Sequence, residues 1–372
     1  MTMNIAIFTP NQNPYSETFI QAHKNGLKDT VFYFYGYGEQ MHLEGQARLM
    51  PLYLYKAHRV YAKMLKKGKA YLWQQRVLYS LKANKINTVL VEYGNHAHHL
   101  KAILKASGLP ITVHFHGYDA SVSDVIKSCN GYKEVFELAT NVLVVSKVME
   151  QRLLALGCPK EILVYNVYGP QKMFETLQPT FAKKQFVAVG RFTDKKAPYY
   201  TIMAFKNVLK KHPDTKLLMA GDGYLLNTCE NLIKQYQLEN SVKFLGVISP
   251  EDYSDLLLES LAFVQHSITA SNGDMEGTPL AVLEASAAGL PVIATRHAGI
   301  PDVIIHEETG LLCEEHDVET MSAHMLQVLD DVNFAKQLGE AGKMHIKTHF
   351  SLERHISSLQ TVLDPEIEES QP

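Results

Sequence analysis

The chain has 372 residues, 46% of them hydrophobic and 20% charged, with a formal net charge of −3. That length predicts about two domains, and the composition fits globular domains with substantial cores. Four cysteines that form no C-x-x-C pair argue against a structural zinc and fit a reducing compartment, and no stretch reaches the ~18 apolar residues of a membrane span.

From the amino end, "MNIAIFT" reads as a buried strand and "SETFIQAHKNGL" as a helix that Ser16 could cap. "TVFYFYG", "TVLVEYG", "PITVHFHG", "NVLVVS" and "ILVYNV" are further strands, followed by "FVAVG", "TKLLMAG", "VKFLG", "LAFVQHS" and "PVIAT". Helical patterns separate most of them. Alternating apolar strands and helices predict parallel sheets covered on both faces, and the number of strands predicts two doubly wound domains. The stretch 168–185, with two prolines and no periodicity, marks the boundary. The divisions expected are 1–176, 177–350, and a terminal segment 351–372 with a helix and an acidic tail.

Between the second and third strands, residues 51–86 carry nine Lys and Arg, six interleaved aromatics and no acid. Residues 1–176 as a whole hold 20 basic against 12 acidic residues, a balance of +8, and the remainder holds 16 against 27, a balance of −11. A basic, aromatic helical surface suits anionic lipid headgroups; a solvated face is the alternative, and nucleic acid is not the expected partner.

In open parallel sheets, sites gather at the carboxyl ends of strands. Several reactive residues fall there. "HAHHL" follows one strand and reads as a loop. His96, His98 and His99 have no partner Cys or carboxylate pair at ligand spacing, and no D-x-D occurs, so no metal site is expected. His116 and Asp119 follow "ITVHF"; Asp119 could cap the next turn or touch a ligand. Arg191 and Lys196 follow "FVAVG", and Gly221 follows "LLMA". Glu276 and Glu284 lie in "GDMEGTPLAVLEASAAGLPVIAT" with seven residues between them. Thr278 and Pro279 read as a cap and first helical residue, which would place the amides of Gly277 and Thr278 at a helix N-terminus suited to phosphate. Eight residues of helix span ~12 Å, so the two acids could address separate parts of an extended ligand.

E-x7-E before "AAGLPVIAT", with "VGRFTDKKAP", "LLMAGDG", "FLGVISPED" and "HAGIPDVIIHEETGLL", resembles the donor half of retaining GT-B glycosyltransferases of family 4 (glycosyl transferases group 1). "PYSETFI", "HFHGYD" and "VLVVS" resemble members that build bacterial surface polysaccharides such as colanic acid. The resemblance covers about residues 3–355. Ala197 departs from it where a glycine usually follows the lysine, and the frequent amino-terminal Gly-Gly pair is missing.

The resemblance implies two Rossmann-like domains facing a central cleft, with the terminal helix returning to the amino domain. It implies a hexosyltransferase that needs no cofactor or metal. The donor would be a UDP- or GDP-sugar. The acceptor would be a glycan or a polyprenyl-diphosphate-linked glycan. Glu276 would address the donor sugar, Glu284 the ribose, Arg191 and Lys196 the diphosphate, and His116 the sugar near the reaction centre. Gly221, Gly277, Thr278 and Pro279 would line the donor site, and Ser16, Asp119 and His96 the acceptor side. The location implied is cytoplasmic, peripheral on the inner face of the cytoplasmic membrane. An epimerase on the same fold and a non-catalytic nucleotide-sugar-binding subunit are the alternatives. A Rossmann dehydrogenase is disfavoured, since no G-x-G-x-x-G follows a strand.

Overall fold

A computed structural model describes residues 3–13, 15 and 17–364. The chain divides into two units. Unit 1 comprises Met1–Val145, Glu150–Asn166 and Ile356–Pro372; unit 2 comprises Ser146–Met149 and Val167–His355.

Unit 1 is a seven-stranded sheet of β1 (Asn4–Thr9), β2 (Thr30–Tyr35), β3 (His42–Leu43), β4 (Thr88–Glu92), β5 (Ile111–His114), β6 (Asn141–Val144) and β7 (Leu163–Tyr165). The order is β3-β2-β1-β4-β5-β6-β7. All pairs are parallel except β2 with β3. Its core gathers Ile5, Ile7, Leu90 and Leu143 from neighbouring strands, and Leu359 and Leu363 of helix Leu352–Leu363 pack into the same cluster. Gln360 ties that helix to Asp29 at 2.6 Å. Each fully buried Leu or Ile contributes ~1.5–3 kcal/mol, so these contacts suffice to hold the last turns in unit 1.

Unit 2 is a six-stranded parallel sheet of β8 (Gln185–Val189), β9 (Lys216–Ala220), β10 (Val242–Phe244), β11 (Ala262–Gln265), β12 (Val292–Thr295) and β13 (Gly310–Cys313), in the order β10-β9-β8-β11-β12-β13. Every residue of β11, β12 and β13 is buried, as a sheet covered on both faces requires. In both units the strand order reverses beside the first strand, at β1/β4 and β8/β11, which is where ligands bind in such sheets.

Two strands escaped the sequence pattern. β3 is a two-residue antiparallel edge, too short to show alternation. β13 is a four-residue run beginning with Gly. The expected "HAHHL" loop is instead the first turn of helix Gly94–Ser107. Its start is forced by Tyr93 at φ 73, a left-handed conformation that turns the chain sharply off β4. Helix Thr18–Gly26 has Glu17 at its cap position; Ser16, expected there, lies outside the described residues. The basic segment folds as helices Leu52–Met64 and Lys69–Ala83. Among the described residues, no helix is long and apolar enough to cross a membrane.

Candidate active site

In unit 2, β8 runs into Gly190 and the exposed Arg191. A neighbouring loop, starting at Gly221, lies directly against this turn. A Cβ on Gly221 (φ +134) would stand 2.0 Å from the Gly190 carbonyl oxygen, so only glycine permits the approach. Gly221 thus shapes the site through the backbone. The chain then makes a single 3-10 turn, Asp194–Lys196, and enters helix Pro198–Leu209 through Ala197. Ala197 sits at φ 35, ψ 51, fully buried. That left-handed conformation explains the glycine of the resembling sequences; the alanine here carries ~1–2 kcal/mol of strain.

The turn delivers two lysines to the loop that holds Glu276. Lys195 Nζ donates to Asp274 Oδ1 at 2.9 Å and to the Met275 carbonyl at 3.1 Å. Lys196 Nζ lies 3.3 Å from Glu276 Oε2 and 3.3 Å from Gln265 Oε1. Burial lowers the pKa of Lys196, with Lys195 and Arg191 acting in the same direction and Glu276 opposing. Burial pushes the Glu276 carboxyl up, but Lys196 and Lys195 hold it below its ordinary value. Glu276 Oε1 is buried and has no hydrogen-bond partner.

Helix Leu280–Ala288 follows. It opens one residue later than expected, with Pro279 at the capping position in place of Thr278. The Gly277 carbonyl accepts the Gly299 amide at 2.9 Å. Thr278 is buried against Gly299, where a Cβ would meet its hydroxyl at 2.2 Å. Glu284, one turn into the helix, is 8% exposed, and burial alone pushes its carboxyl up to about 7. The two glutamates therefore differ in kind: one is a charge-compensated carboxylate, the other a carboxyl poised near neutrality.

Unit 1 collects a second polar group at the carboxyl ends of β4 and β5. Glu92, fully buried, lies 2.7 Å from His23 Nδ1, 3.0 Å from His116 Nε2 and 3.4 Å from His114 Nδ1. Burial pushes its carboxyl up, yet the three imidazoles hold it well below its ordinary value. His116 also shares a reciprocal cap with Asp119 at the start of helix Gly117–Ser121. The expectation for His116 is a contact with the donor sugar; in the free protein its Nε2 faces Glu92. The ring is engaged within unit 1, and the residue is 4% exposed. Asp119 caps this turn: fully buried, it accepts the Gly94 amide and the His116 amide at 2.5 and 2.8 Å. His96 is also fully buried, and both ring nitrogens lack a hydrogen-bond partner; burial drives its pKa down to about 3. The Tyr37 ring stands edge-on to it at 4.8 Å.

Among the described residues, the grouping that could hold a metal ion is His23, Glu92 and His114, whose ligand atoms lie within 4.8 Å of one another. The 2.7 Å separation of Glu92 from His23 is a hydrogen-bond length, shorter than the ~3.3 Å between ligand atoms that tetrahedral bonds of ~2.0 Å impose.

Motif spacing did not point to Lys195, Gln265, Asp274, His297, Glu315 or the Glu92 cluster. Two signals were available: an acid ending the apolar strand "TVLVE", and the tandem lysines in "TDKKAP".

Residues 170–345 match the family described as Glycosyl transferases group 1. The amylovoran biosynthesis glycosyltransferase AmsK of Erwinia amylovora is 30% identical over 268 residues, covering 71% of this chain and 65% of that protein. WcaL of Escherichia coli (strain K12), named provisionally as a colanic acid biosynthesis glycosyltransferase, is 29% identical over 215 residues, covering 57% of this chain and 53% of its own. The chain thus spans between about half and two thirds of these relatives. Among solved structures, Anabaena HepE in complex with UDP superposes with a TM-score of 0.77 at 13% identity, covering 100% of both chains. At that identity the likeness concerns the fold, two parallel-sheet α/β units of GT-B type.

Proposed function

We infer that this chain, whose residues 170–345 carry the group 1 glycosyltransferase match, is a retaining glycosyltransferase of bacterial surface polysaccharide synthesis. It takes a hexose from a UDP- or GDP-sugar to a glycan or polyprenyl-diphosphate-linked acceptor, without a metal. The observation that carries this reading is Glu276: one oxygen rests on Lys196, and the other is buried and unpartnered. A buried orphan acceptor costs ~1–3 kcal/mol, and a sugar hydroxyl donating to Oε1 removes that cost.

The remaining roles follow from charge. Negative charge develops on the diphosphate as the glycosidic bond breaks. Lys196 and the exposed Arg191 supply fixed positive charge to it. Glu284 accepts the ribose hydroxyls. Glu276, already paired with a cation, is a poor covalent nucleophile. The acceptor hydroxyl therefore attacks from the face the diphosphate leaves, its proton passes to the leaving phosphate, and the anomeric configuration is kept.

A transfer assay with UDP- and GDP-sugars on a glycan primer tests the reading, with the anomeric configuration read by NMR. A retained anomer and activity that survives EDTA are expected; an inverted product, or loss of activity with EDTA, overturns the mechanism.

The basic segment supports attachment to an anionic, cytoplasmic-leaflet surface. Only Ala62 of helix Leu52–Met64 is buried, whereas Tyr53, Val60 and Met64 are 71%, 60% and 77% exposed. On a helical wheel these three adjoin a stripe of Lys56, Arg59 and Lys63. Each cation near such a surface is worth ~1 kcal/mol. The protein should co-sediment with phosphatidylserine vesicles at low salt and much less at 1 M, where the Debye length is ~3 Å. The triple charge reversal Lys56→Glu, Arg59→Glu and Lys63→Glu should release it without changing nucleotide affinity. Wild type that ignores anionic vesicles at low salt would mark the helix as a solvated face.

A further inference from the structure

The loop bearing Glu276 is held by His297, which opens the "HAGIPDV" stretch, and by Glu315, which lies beyond it. His297 stands two residues after β12 and is fully buried. Its Nε2 accepts the Glu276 amide at 3.1 Å, and its Nδ1 lies 2.6 Å from Glu315 Oε1. An amide can only donate, so Nε2 must carry the lone pair and the proton of the neutral ring must sit on Nδ1. Glu315 is the group that keeps it there. Glu315 is itself fixed from the far side: it accepts the Thr269 amide at 2.8 Å and the Thr269 hydroxyl at 3.3 Å. Around Glu276, Lys195 anchors Asp274 and Met275 before it, and the Gly299 amide anchors Gly277 after it. The His297–Glu315 pair reaches the Glu276 residue's own backbone.

We propose that Glu315 and His297 are positioning residues for the donor sugar, a carboxylate–imidazole relay that sets, through the Glu276 amide, where the Glu276 carboxylate stands. The proposal rests on the assignment of Glu276 to the donor sugar given above. Its geometry explains how one Glu276 oxygen can stay on Lys196 while the other is held open for a ligand. Without Glu315, His297 is free to carry its proton on Nε2. Two N–H groups would then face each other, and the loop would have to shift. A displacement of about 1 Å at such a position costs on the order of a hundredfold in rate.

The variants Glu315→Ala, Glu315→Gln and His297→Asn separate positioning from folding. Turnover of UDP- and GDP-sugars is measured beside calorimetric affinity for free UDP and GDP. Glu315→Ala should lose roughly 30- to 100-fold in kcat/KM for the sugar nucleotide, with free diphosphate affinity within about twofold of wild type. Glu315→Gln keeps an oxygen for Nδ1–H and should recover most of that loss. His297→Asn can still reach Glu315 but is too short for the Glu276 amide, so it should resemble Glu315→Ala. Parallel losses of diphosphate and sugar-nucleotide affinity would mark the pair as structural and overturn the proposal. So would a Glu315→Ala enzyme as active as Glu315→Gln. An active wild type with flat variants overturns the relay alone; a wild type that turns over no sugar nucleotide overturns both the relay and the transferase reading.

Discussion

Lys196→Ala should lose about 100- to 1,000-fold in sugar transfer and also unfold at lower temperature at pH 8, with the stability loss shrinking in acid. The reason is the pairing of two largely buried charges. In the wild type, Glu276 is held below its ordinary value despite burial, chiefly by Lys196. A carboxyl depressed on folding contributes stability above its unfolded pKa of about 4.5, and that contribution is lost as pH falls through the folded value. Removing Lys196 leaves burial opposed chiefly by Lys195. The carboxyl then rises, and its ionisation above pH ~4.5 becomes a cost rather than a gain. Breaking such a pair from one side typically costs ~3–5 kcal/mol, reduced here because burial already disfavours the charged Lys196 and lowers its pKa. The double variant Lys196→Ala, Glu276→Gln removes the uncompensated charge, so melting at pH 8 should recover while transfer stays lost. Melting curves of wild type, single and double variants from pH 4.5 to 8 decide it. A destabilisation that is the same at every pH, or a double variant less stable than the single, would show that the pair is not coupled as described.

Most of the sheets was legible because a parallel strand covered on both faces must be apolar throughout. Runs such as "NVLVV" and "LAFVQ" therefore stand out without knowledge of their neighbours. Helix starts were less legible. Whether Thr278 or Pro279 caps the helix depends on a backbone angle, and whether "HAHHL" is loop or helix depends on the left-handed Tyr93 before it. In the site, Glu276 and Lys196 were found because their flanking motifs resemble a known family. The structure brings them to 3.3 Å across 79 intervening residues, a pairing local spacing cannot encode. Lys195, His297 and Glu315 stayed hidden for the same reason: each acts through one contact with a distant backbone or carboxylate. His116 is a different case. The resemblance of "HFHGYD" implies a ligand contact, and the acid that engages it in the free protein, Glu92, ends the neighbouring strand.

Glu284→Gln should make the protein more stable at pH 8 and weaken its hold on nucleotide. Burial, with no cation to oppose it, pushes the Glu284 carboxyl up from 4.5 to about 7. A carboxyl raised on folding adds nothing below its unfolded value. It costs stability progressively between pH 4.5 and 7 and in full above that. A rise from 4.5 to about 7 corresponds to roughly 3 kcal/mol at most, so the neutral isostere should gain ~1–3 kcal/mol at pH 8, a few degrees in Tm. At pH 4.5 the two proteins should melt alike. Binding works in the opposite direction. Two ribose hydroxyls donate to an ionised carboxylate, so nucleotide favours the deprotonated form. Wild-type affinity for UDP or GDP should fall as pH drops below about 7, and binding near that pH should release protons. Calorimetry in buffers of different ionisation enthalpy measures the release directly. Glu284→Gln should bind ~10- to 100-fold more weakly, as expected for charge-assisted bonds worth ~1.5–3 kcal/mol, and show no proton release. A Gln variant that binds nucleotide like wild type, or a wild-type affinity that is flat from pH 6 to 8, would remove Glu284 from the ribose. The burial that makes this carboxylate costly in the free protein is also what lets a diol stabilise it, so the stability lost to the empty site and the affinity gained on binding have one physical origin.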